Sequence, residues 1–286
     1  MKWAVAGRNE SRLRATLDQL NLKCDILTAT LDNDASMDAM CSTTKVIIST
    51  AGPFAQIGTP VVDSCVRSGT HYVDITGEGQ WVRKMIDKHH EDAKNKGLKI
   101  VPCCGFDCIP PDMACLMMTN YLKDTKEVTN IDEVRFIVTE ANGGVSGGTL
   151  ASVINLFATS SFSLLLKLGS PYFLNPSIGD TILDPPGQMM IESRNADRVF
   201  VDHDTMFTNV YKYLFSTHNA DLQLNGRSTG YMAPWAMQAI NTRIVNRSNA
   251  LSNWTYGEQF VYSERLMLSL LPGLMYTLVV QPAMMV

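Results

Sequence analysis

Turns rich in small residues and carboxylates follow three apolar segments in the first third of the chain. Gly52 permits unusual backbone torsions and Pro53 fixes φ, so the turn that contains them lets a ligand approach the main chain. Glu78 and Asp107 are carboxylic acids that are suited to donating a proton beside such a ligand, or equally to capping the ends of strands. The three turns are Ala51-Gly52-Pro53-Phe54, Thr76-Gly77-Glu78 and Gly105-Phe106-Asp107.

Residues 45–78 supply the elements that position the first two turns. The β-branched run at residues 46–48 predicts a strand that is buried on both faces. Thr59 as N-cap, Pro60 at the first helical position and Gly69 as a C-terminal stop predict the next helix. Residues 71–75 predict a second strand. A helix that joins two strands in this way makes them parallel, and ligands bind at the carboxyl ends of parallel strands.

The alternation of strands and helices continues through the first 120 residues. About five strands and four helices are predicted there, with the strands beginning at Lys2, Asp25, Val46, His71 and Leu98. This pattern predicts an α/β fold with a Rossmann-like doubly wound parallel sheet.

Arg8 lies at the corner between the first strand and a helix that Asn9 is expected to cap. In a dinucleotide-binding fold, an arginine near the end of the second strand accommodates a 2′-phosphate. The planar guanidinium pairs well with phosphate oxygens and stays charged. An arginine simply solvated at a helix start is the alternative interpretation.

The usual opening of a dinucleotide fold is missing before Arg8. That opening is a strand, a glycine-rich turn and a helix, and the pyrophosphate rests on the turn. No G-x-G-x-x-G pattern precedes Arg8. We therefore expect a sheet that lacks its first strand and glycine-rich turn, which places cofactor binding by this short form in question.

Composition excludes several classes of protein. The formal net charge is -4, which does not favour nucleic-acid binding. The chain does not open with a signal-peptide pattern. All seven cysteines precede Met117, and their spacing lacks paired C-x-x-C motifs, so we expect reduced thiols and no metal site.

The second half is less regular. A helix is predicted over residues 113–122, a half-exposed strand over 133–140 and, within residues 232–244, a helix after Pro234. The glycine-rich stretch 142–149 precedes an uncharged helix at 150–166, and it is either a tight connection or an anion-holding turn. Arg243 and Arg247 lie one helical turn apart, so they form either a basic patch for an anionic or acyl-carrier substrate or a solvated surface.

Residues 266–286 carry no charge and are long enough to span a bilayer. Pro272, Gly273, Gln281 and Pro282 interrupt this apolar segment. A membrane-embedded or interfacial segment and a buried core helix are both compatible with the pattern.

Several motifs together resemble one family. The motifs that carry the resemblance are AGRNESRL, STAGPF followed by GTHYVDITGE, and CCGFDCIPPD. Through these motifs the sequence resembles the saccharopine dehydrogenase-like oxidoreductases, which include the trans-acting enoyl reductases. The resemblance spans Trp3 to about Met118 and continues more loosely at residues 145–152 and 233–251. It implies an N-terminal Rossmann domain that binds NADP(H), or less often NAD(H), and a second domain of mixed sheet and helices. Compared with the family, this chain is expected to be shortened at both ends.

The resemblance also implies roles for the residues at the turns. Arg8 would hold the 2′-phosphate, and the second turn with the residues after the fifth strand would line the nicotinamide end. Asp107 and Glu78 are the weak candidates for the proton donor. The expected cofactor-binding residues are Arg8, Ser49, Ala51, Gly52, Pro53, Phe54, Asp74, Thr76, Gly105 and Phe106.

The functional hypothesis is NADP(H)-dependent hydride transfer to a lipid-like enoyl or keto substrate, in lipid or glycolipid metabolism. The alternative is a non-catalytic scaffold or lipid-binding protein on a membrane or lipid droplet that has lost cofactor binding. A saccharopine reductase fits less well, since its substrate calls for a strongly basic pocket. A small-molecule or lipid substrate, a membrane surface and a homodimer are the expected partners, on the cytoplasmic side or at a mitochondrion.

The expected domains are residues 1–122, which bind the cofactor, and 123–286, an α+β domain.

Overall fold

The computed structural model describes residues 2–128, 130–140, 170–178, 181–183, 223–224, 227–228 and 231–268. The chain divides into two compact units, Met1–Gly105 and Phe106–Val286. The sequence prediction ends the first domain at residue 122, within a helix that the structure places wholly in the second unit.

The first unit alternates strands and helices, as predicted. Its elements in order are β1 (Ala4–Gly7), α1 (Glu10–Gln19), β2 (Asp25–Thr28), α2 (Asp34–Ser42), β3 (Val46–Ser49), α3 (Phe54–Ile57), α4 (Thr59–Ser68), β4 (His71–Asp74), α5 (Gly79–Asn95) and β5 (Ile100–Val101). All the strand pairs of this unit are parallel, and they form two sheets of order β1-β2 and β3-β4-β5. The α/β class and the parallel pairing are confirmed.

Helices α2, α4 and α5 pack side by side with α4 in the middle, and α4 contacts β4 of the β3-β4-β5 sheet. The core beneath them contains Val62, Cys65, Val66, Tyr72 and Met85, each at most 5% exposed. Helix α1 packs against β1 and β2. Apolar burial of this kind is the main stabilising contribution to such a layered unit.

The expectation that residues 46–48 are buried on both faces is wrong. Ile48 is 68% exposed and Val46 is 38% exposed, whereas Ser49 is buried. Among the described residues, no strand pairs with β3 on the side away from β4, and none pairs with β1 on the side away from β2. Strand β3 therefore lies at an edge of its sheet, and its second face has no cover in the described part of the chain.

Two local predictions in this unit need adjustment. The Asn9 cap is confirmed, since its Oδ1 accepts a hydrogen bond from the Arg12 N–H at 2.9 Å. Thr59, however, is the first residue of α4 and not its cap, and its hydroxyl accepts the Trp81 indole N–H at 3.0 Å. Gly69 ends α4 in a left-handed conformation with φ of 76°, as expected of a C-terminal glycine.

In its described residues, the second unit combines a mixed sheet with two long helices. Its elements are α6 (Ile109–Lys126), β6 (Glu133–Val138), β7 (Ser177–Ile178), β8 (Thr181–Ile182), β9 (Gln223–Leu224), β10 (Arg227–Ser228), β11 (Tyr231–Pro234), α7 (Gln238–Leu251) and β12 (Val261–Leu268). The central strand β12 pairs in parallel with β6 and antiparallel with β11. Helices α6 and α7 enclose a core with the sheet, which contains Cys115, Ile131, Val245, Tyr256, Phe260 and Tyr262.

The predictions for the second unit are confirmed in part. Helix α6 and strand β6 form where the pattern indicated them, and the helix predicted after Pro234 forms from Gln238 to Leu251. Residues 231–234 are a strand because they pair with β12. The predictions for residues 142–149, 150–166 and 269–286 lie outside the described residues.

None of the helices within the described ranges is long and apolar enough to cross a bilayer.

Candidate functional site

The predicted turns follow the carboxyl ends of β3 and β4, which the parallel register brings to one edge. Ser49 and Asp74 are direct partners in the ladder between these strands. Residues 73 and 101 pair in the same sense, so the segment after β5 leaves at this edge too. The segments after β3, β4 and β5 therefore lie at one edge of the sheet, as the sequence predicted.

Asp74 connects β4 to the segment that follows β5. Its Oδ1 accepts the backbone N–H groups of Thr76 at 3.0 Å and Cys103 at 2.9 Å. Its carbonyl oxygen accepts the Cys104 N–H at 2.7 Å. The side chain is fully buried, and this burial raises the pKa of Asp74 although the two N–H groups oppose the shift. In this structure the carboxyl group shapes the sheet edge from within.

Glu78 acts across the edge in the same way. Its two carboxylate oxygens accept the backbone N–H groups of Phe54 at 2.7 Å and Ala55 at 3.1 Å. These are the first N–H groups of α3, so Glu78 caps that helix from 24 residues away. The side chain is only 5% exposed. Of the two interpretations left open by the sequence, the contacts favour the cap.

Thr76 completes the second turn. Its hydroxyl accepts the Glu78 N–H at 3.0 Å, and the residue is 2% exposed. Together with Asp74 it fixes the backbone that carries Glu78, so the three residues form one connected hydrogen-bonded set.

The first turn is anchored at one end and open at the other. Phe54 is buried, and its ring lies 5.7 Å from the Trp81 ring. Gly58 lets these groups approach, because a Cβ there would lie 2.7 Å from the Trp81 ring. Ala51 and Gly52 are exposed, Pro53 is half-buried, and the Gly52–Pro53 peptide is cis. The backbone of residues 51–52 is therefore accessible to a ligand.

Arg8 is exposed at the carboxyl end of β1. Its guanidinium forms no ion pair or hydrogen bond with the described residues. Arg14, by contrast, pairs with Glu10 at 2.7 Å on the same helix surface. Arg8 is thus available to an anionic ligand.

The third turn is divided between the two units. Gly105 ends the first unit, and a Cβ there would lie 3.4 Å from the Ile75 side chain. Phe106 is 88% exposed. Asp107 is exposed, and its carbonyl oxygen accepts the Asn241 amide at 2.7 Å in the second unit. The described residues leave the Asp107 carboxylate more available to a ligand than that of Glu78.

The described residues fit one part of a dinucleotide and not another. Arg8 suits a phosphate on the adenosine ribose, and residues 51–52 expose backbone. A pyrophosphate needs free N–H groups at a helix start. At α3 those groups are bound by Glu78, and at α1 Asn9 accepts the Arg12 N–H. Neither α1 nor α3 therefore provides the pyrophosphate cradle.

The second unit contains two further acids, Glu264 and Asp112, that the sequence analysis did not single out. Glu264 on β12 is fully buried and accepts the Tyr262 hydroxyl at 2.7 Å and the Asn241 amide at 2.9 Å. Asp112 on α6 accepts the Ser248 hydroxyl at 3.1 Å. Burial raises the pKa of both carboxyl groups. The alternation of Tyr262, Glu264 and Leu266 along one strand face was the available signal.

Arg243 and Arg247 do not form a separate basic patch. Arg243 donates to the Ser170 carbonyl at 3.2 Å, and Arg247 donates to the Leu174 carbonyl at 2.6 Å. Both side chains help to fasten residues 170–174 to α7. Within the described ranges no group of three or more His, Cys, Asp and Glu side chains is placed to hold a metal ion.

Parallel strands joined by helices, with turns gathered at their carboxyl edge, define a Rossmann-like dinucleotide-binding class of domain. Residues 1–101 match the family model described as Saccharopine dehydrogenase NADP binding domain.

Curated relatives match much more of the chain. A Mycobacterium tuberculosis relative is 32% identical over 267 residues, which are 91% of this chain and 57% of that protein. A protein of Mycobacterium ulcerans named trans-acting enoyl reductase is 31% identical over 270 residues, covering 93% of this chain and 59% of that protein. One of Mycobacterium leprae with the same name is 30% identical over 269 residues, with the same coverage. The chain spans a little over half the length of these relatives.

Among solved structures, the apo, histidine-tagged saccharopine dehydrogenase (L-Glu forming) of Saccharomyces cerevisiae aligns with 48% of this chain and 28% of its own. The TM-score is 0.37 and the sequence identity is 15%.

Proposed function

We propose that this chain is part of a nicotinamide-dependent oxidoreductase that reduces a lipid-like enoyl or keto substrate and prefers NADP(H) to NAD(H). The observation that carries the proposal is the family match of residues 1–101, in which Arg8 lies exposed and unpaired among the described residues at the end of β1. The trans-acting enoyl reductase names of the relatives support the enoyl substrate class.

The roles proposed for the chain's residues follow from their accessibility. Arg8 holds a 2′-phosphate, and residues 51–52 offer backbone to the dinucleotide. Asp74, Thr76 and Glu78 shape the edge from within, and their buried side chains do not contact the ligand. A bound nicotinamide would supply the hydride. Of the two candidates for the proton donor, Asp107 has the more accessible carboxylate.

A titration of NADPH and NADH tests the role of Arg8. We expect Arg8→Ala to weaken NADPH binding about 10- to 100-fold, since a charge-assisted contact is lost, and to leave NADH binding nearly unchanged. Arg12→Ala is the matched control, because Arg12 is an exposed arginine on the adjoining helix. Equal effects of the two substitutions on both nucleotides would remove Arg8 from the site.

The competing proposal is a lipid-associated scaffold that has lost cofactor binding, at a membrane or lipid-droplet surface. It is supported by the exposed Ile48 on β3 and by the capture of the α3 N–H groups by Glu78. The same titration, repeated with a form extended by a strand and a glycine-rich turn before Met1, separates the two proposals. Binding by either form supports the oxidoreductase, and binding by neither supports the scaffold.

A further inference from the structure

Helices α2 and α4 bring two thiols into contact inside the first unit. The Sγ atoms of Cys41 and Cys65 lie 3.7 Å apart, and both residues are fully buried. They come from different helices and are 24 residues apart in the sequence. This pair, which we call the α2–α4 thiol pair, takes no part in the candidate site.

Polar contacts on both sides hold the two helices in this register. The Asp38 carboxylate on α2 accepts the Ser64 hydroxyl at 2.6 Å and the Arg67 guanidinium at 2.8 Å. Beyond the end of α4, the Thr70 hydroxyl donates to the Cys41 carbonyl at 2.7 Å. Because these hydrogen bonds join α2 and α4 on both sides of the cysteines, they keep the two sulfur atoms close together.

We propose that the α2–α4 thiol pair is an oxidation site at which a hydroperoxide converts Cys41 and Cys65 into a disulfide. A disulfide has an S–S distance of about 2.05 Å, so the two sulfur atoms must move roughly 1.7 Å closer to each other. The neighbouring elements already fix the directions from which the side chains approach each other.

The reaction balances with one hydroperoxide molecule. The Cys41 thiolate attacks a peroxide oxygen, the O–O bond breaks, and the sulfur is oxidised by two electrons to a sulfenic acid. The hydroxide that leaves takes a proton and becomes water. The Cys65 sulfur then attacks the Cys41 sulfur, and the sulfenic hydroxyl leaves with the Cys65 proton as a second water.

The surroundings favour Cys41 as the sulfur that reacts first. The hydrogen bond with the Cys65 thiol lowers the pKa of Cys41 to about 7, although burial opposes the shift. The Ser64 hydroxyl acts in the same direction, while the Asp38 carboxylate acts against it. A thiolate is the reactive form of cysteine, and the same hydrogen bond raises the pKa of Cys65.

Peptide mapping of the folded, hydrogen-peroxide-treated protein tests the proposal. Free thiols are first blocked by alkylation. Trypsin then releases residues 24–45, which contain Cys24 and Cys41, and residues 46–67, which contain only Cys65. We expect these two peptides to be joined, with a mass about 2 Da below their sum, and to separate on reduction.

Two controls assign the bond. Cys24→Ser removes the other thiol of the first peptide and should leave the joined product unchanged, whereas Cys41→Ser and Cys65→Ser should each abolish it. Circular dichroism establishes that each variant is folded. The oxidised wild type should also melt about 5–10 °C above the reduced protein, as expected for closing a loop of this length.

Two outcomes overturn the proposal. One is a wild-type protein in which the partly exposed Cys24 or Cys104 is oxidised while Cys41 and Cys65 stay fully alkylatable after unfolding. The other is a joined peptide that disappears in Cys24→Ser. Both are read from the wild type or from a variant with an altered surface residue, so they do not depend on the buried variants folding. Neither depends on nucleotide binding.

Discussion

Two regions of the molecule bury acidic side chains and use them differently. The strand-end region of the first unit contains Asp74 and Glu78, which accept hydrogen bonds from backbone N–H groups. The acid core of the second unit contains Asp112 and Glu264, which accept hydrogen bonds from neutral side chains. In the first region a carboxylate fixes the course of the main chain. In the second it joins side chains of different elements.

The difference extends to how completely the acids are bound. Glu78 has both oxygens on N–H groups of α3. Glu264 and Asp112 each retain one oxygen that no hydrogen bond reaches in the structure, and so does Asp74 of the strand-end region, so this contrast holds between Glu78 and the other three acids. An unbound carboxylate oxygen in a buried place favours the protonated acid. We therefore expect Glu78 to stabilise the fold through its charge, and Glu264 to stabilise it as a neutral group.

The largest effect is expected from removing the charged cap. Glu78→Ala should lower the free energy of unfolding by about 3 kcal/mol, because two N–H groups lose a charged acceptor and one of them is buried. Glu78→Gln should have roughly half this effect, since one oxygen remains. Urea unfolding followed by circular dichroism measures both.

Glu91→Ala is the matched control for Glu78→Ala. Glu91 is an exposed glutamate on the adjoining helix α5, and its loss should change the free energy of unfolding by less than about 0.5 kcal/mol. If Glu78→Ala were as mild as Glu91→Ala, the carboxylate would not be holding the first turn, and the contrast between the two regions would fail.

An intermediate effect is expected from the close packing beneath the same turn. Gly58→Ala places a Cβ 2.7 Å from the Trp81 ring and 2.8 Å from the Phe54 carbonyl oxygen. The resulting shift should cost about 2 kcal/mol. Gly77→Ala is the control, because a Cβ there meets nothing within 4 Å. The melting temperatures of the two variants would show whether the turn is rigid. Equal melting temperatures would mean that the turn adjusts to the added methyl group.

The first unit was predictable from sequence to the extent that its contacts are local. Apolar runs, the Asn9 cap and the Gly69 stop depend on neighbouring residues, and the structure has them in place. The Glu78 contact with Phe54 joins residues 24 apart, so the sequence showed two turns without showing that one acid binds the other turn. The exposure of Ile48 depends on which strands and helices cover β3, which a run of β-branched residues does not state.

The acid core was not predictable for a stronger reason. Strand β12 pairs with β6, from which it is separated by more than 120 residues. The Ser-Glu-Arg sequence within β12 is polar, as an exposed segment would be. No neighbouring residue in the sequence indicates that Glu264 accepts a hydrogen bond from Asn241. Strand β11 was not predicted for the same reason, since residues 231–234 become a strand only through pairing with β12.

The sharpest test of the comparison concerns pH. Burial raises the pKa of Glu264 in the folded protein above its ordinary value of 4.5. The unfolded chain therefore loses this proton first as the pH rises, and the folded state binds more protons above pH 4.5. Stability must fall with rising pH in that range, by at most about 1.4 kcal/mol per pH unit for this one group, until the folded-state carboxyl also ionises.

Glu264→Gln should remove this part of the pH dependence. Glutamine resembles the protonated acid, so the substitution should cost little near pH 4.5 and should flatten the decline in stability above that pH. Glu258→Gln, an exposed acid in the same unit, should leave the decline unchanged. Asp112 has the same sign of pKa shift, so some decline should remain in Glu264→Gln. If Glu264→Gln instead lost stability equally at every pH, Glu264 would be acting through its charge, as Glu78 does, and the two regions would not differ in kind.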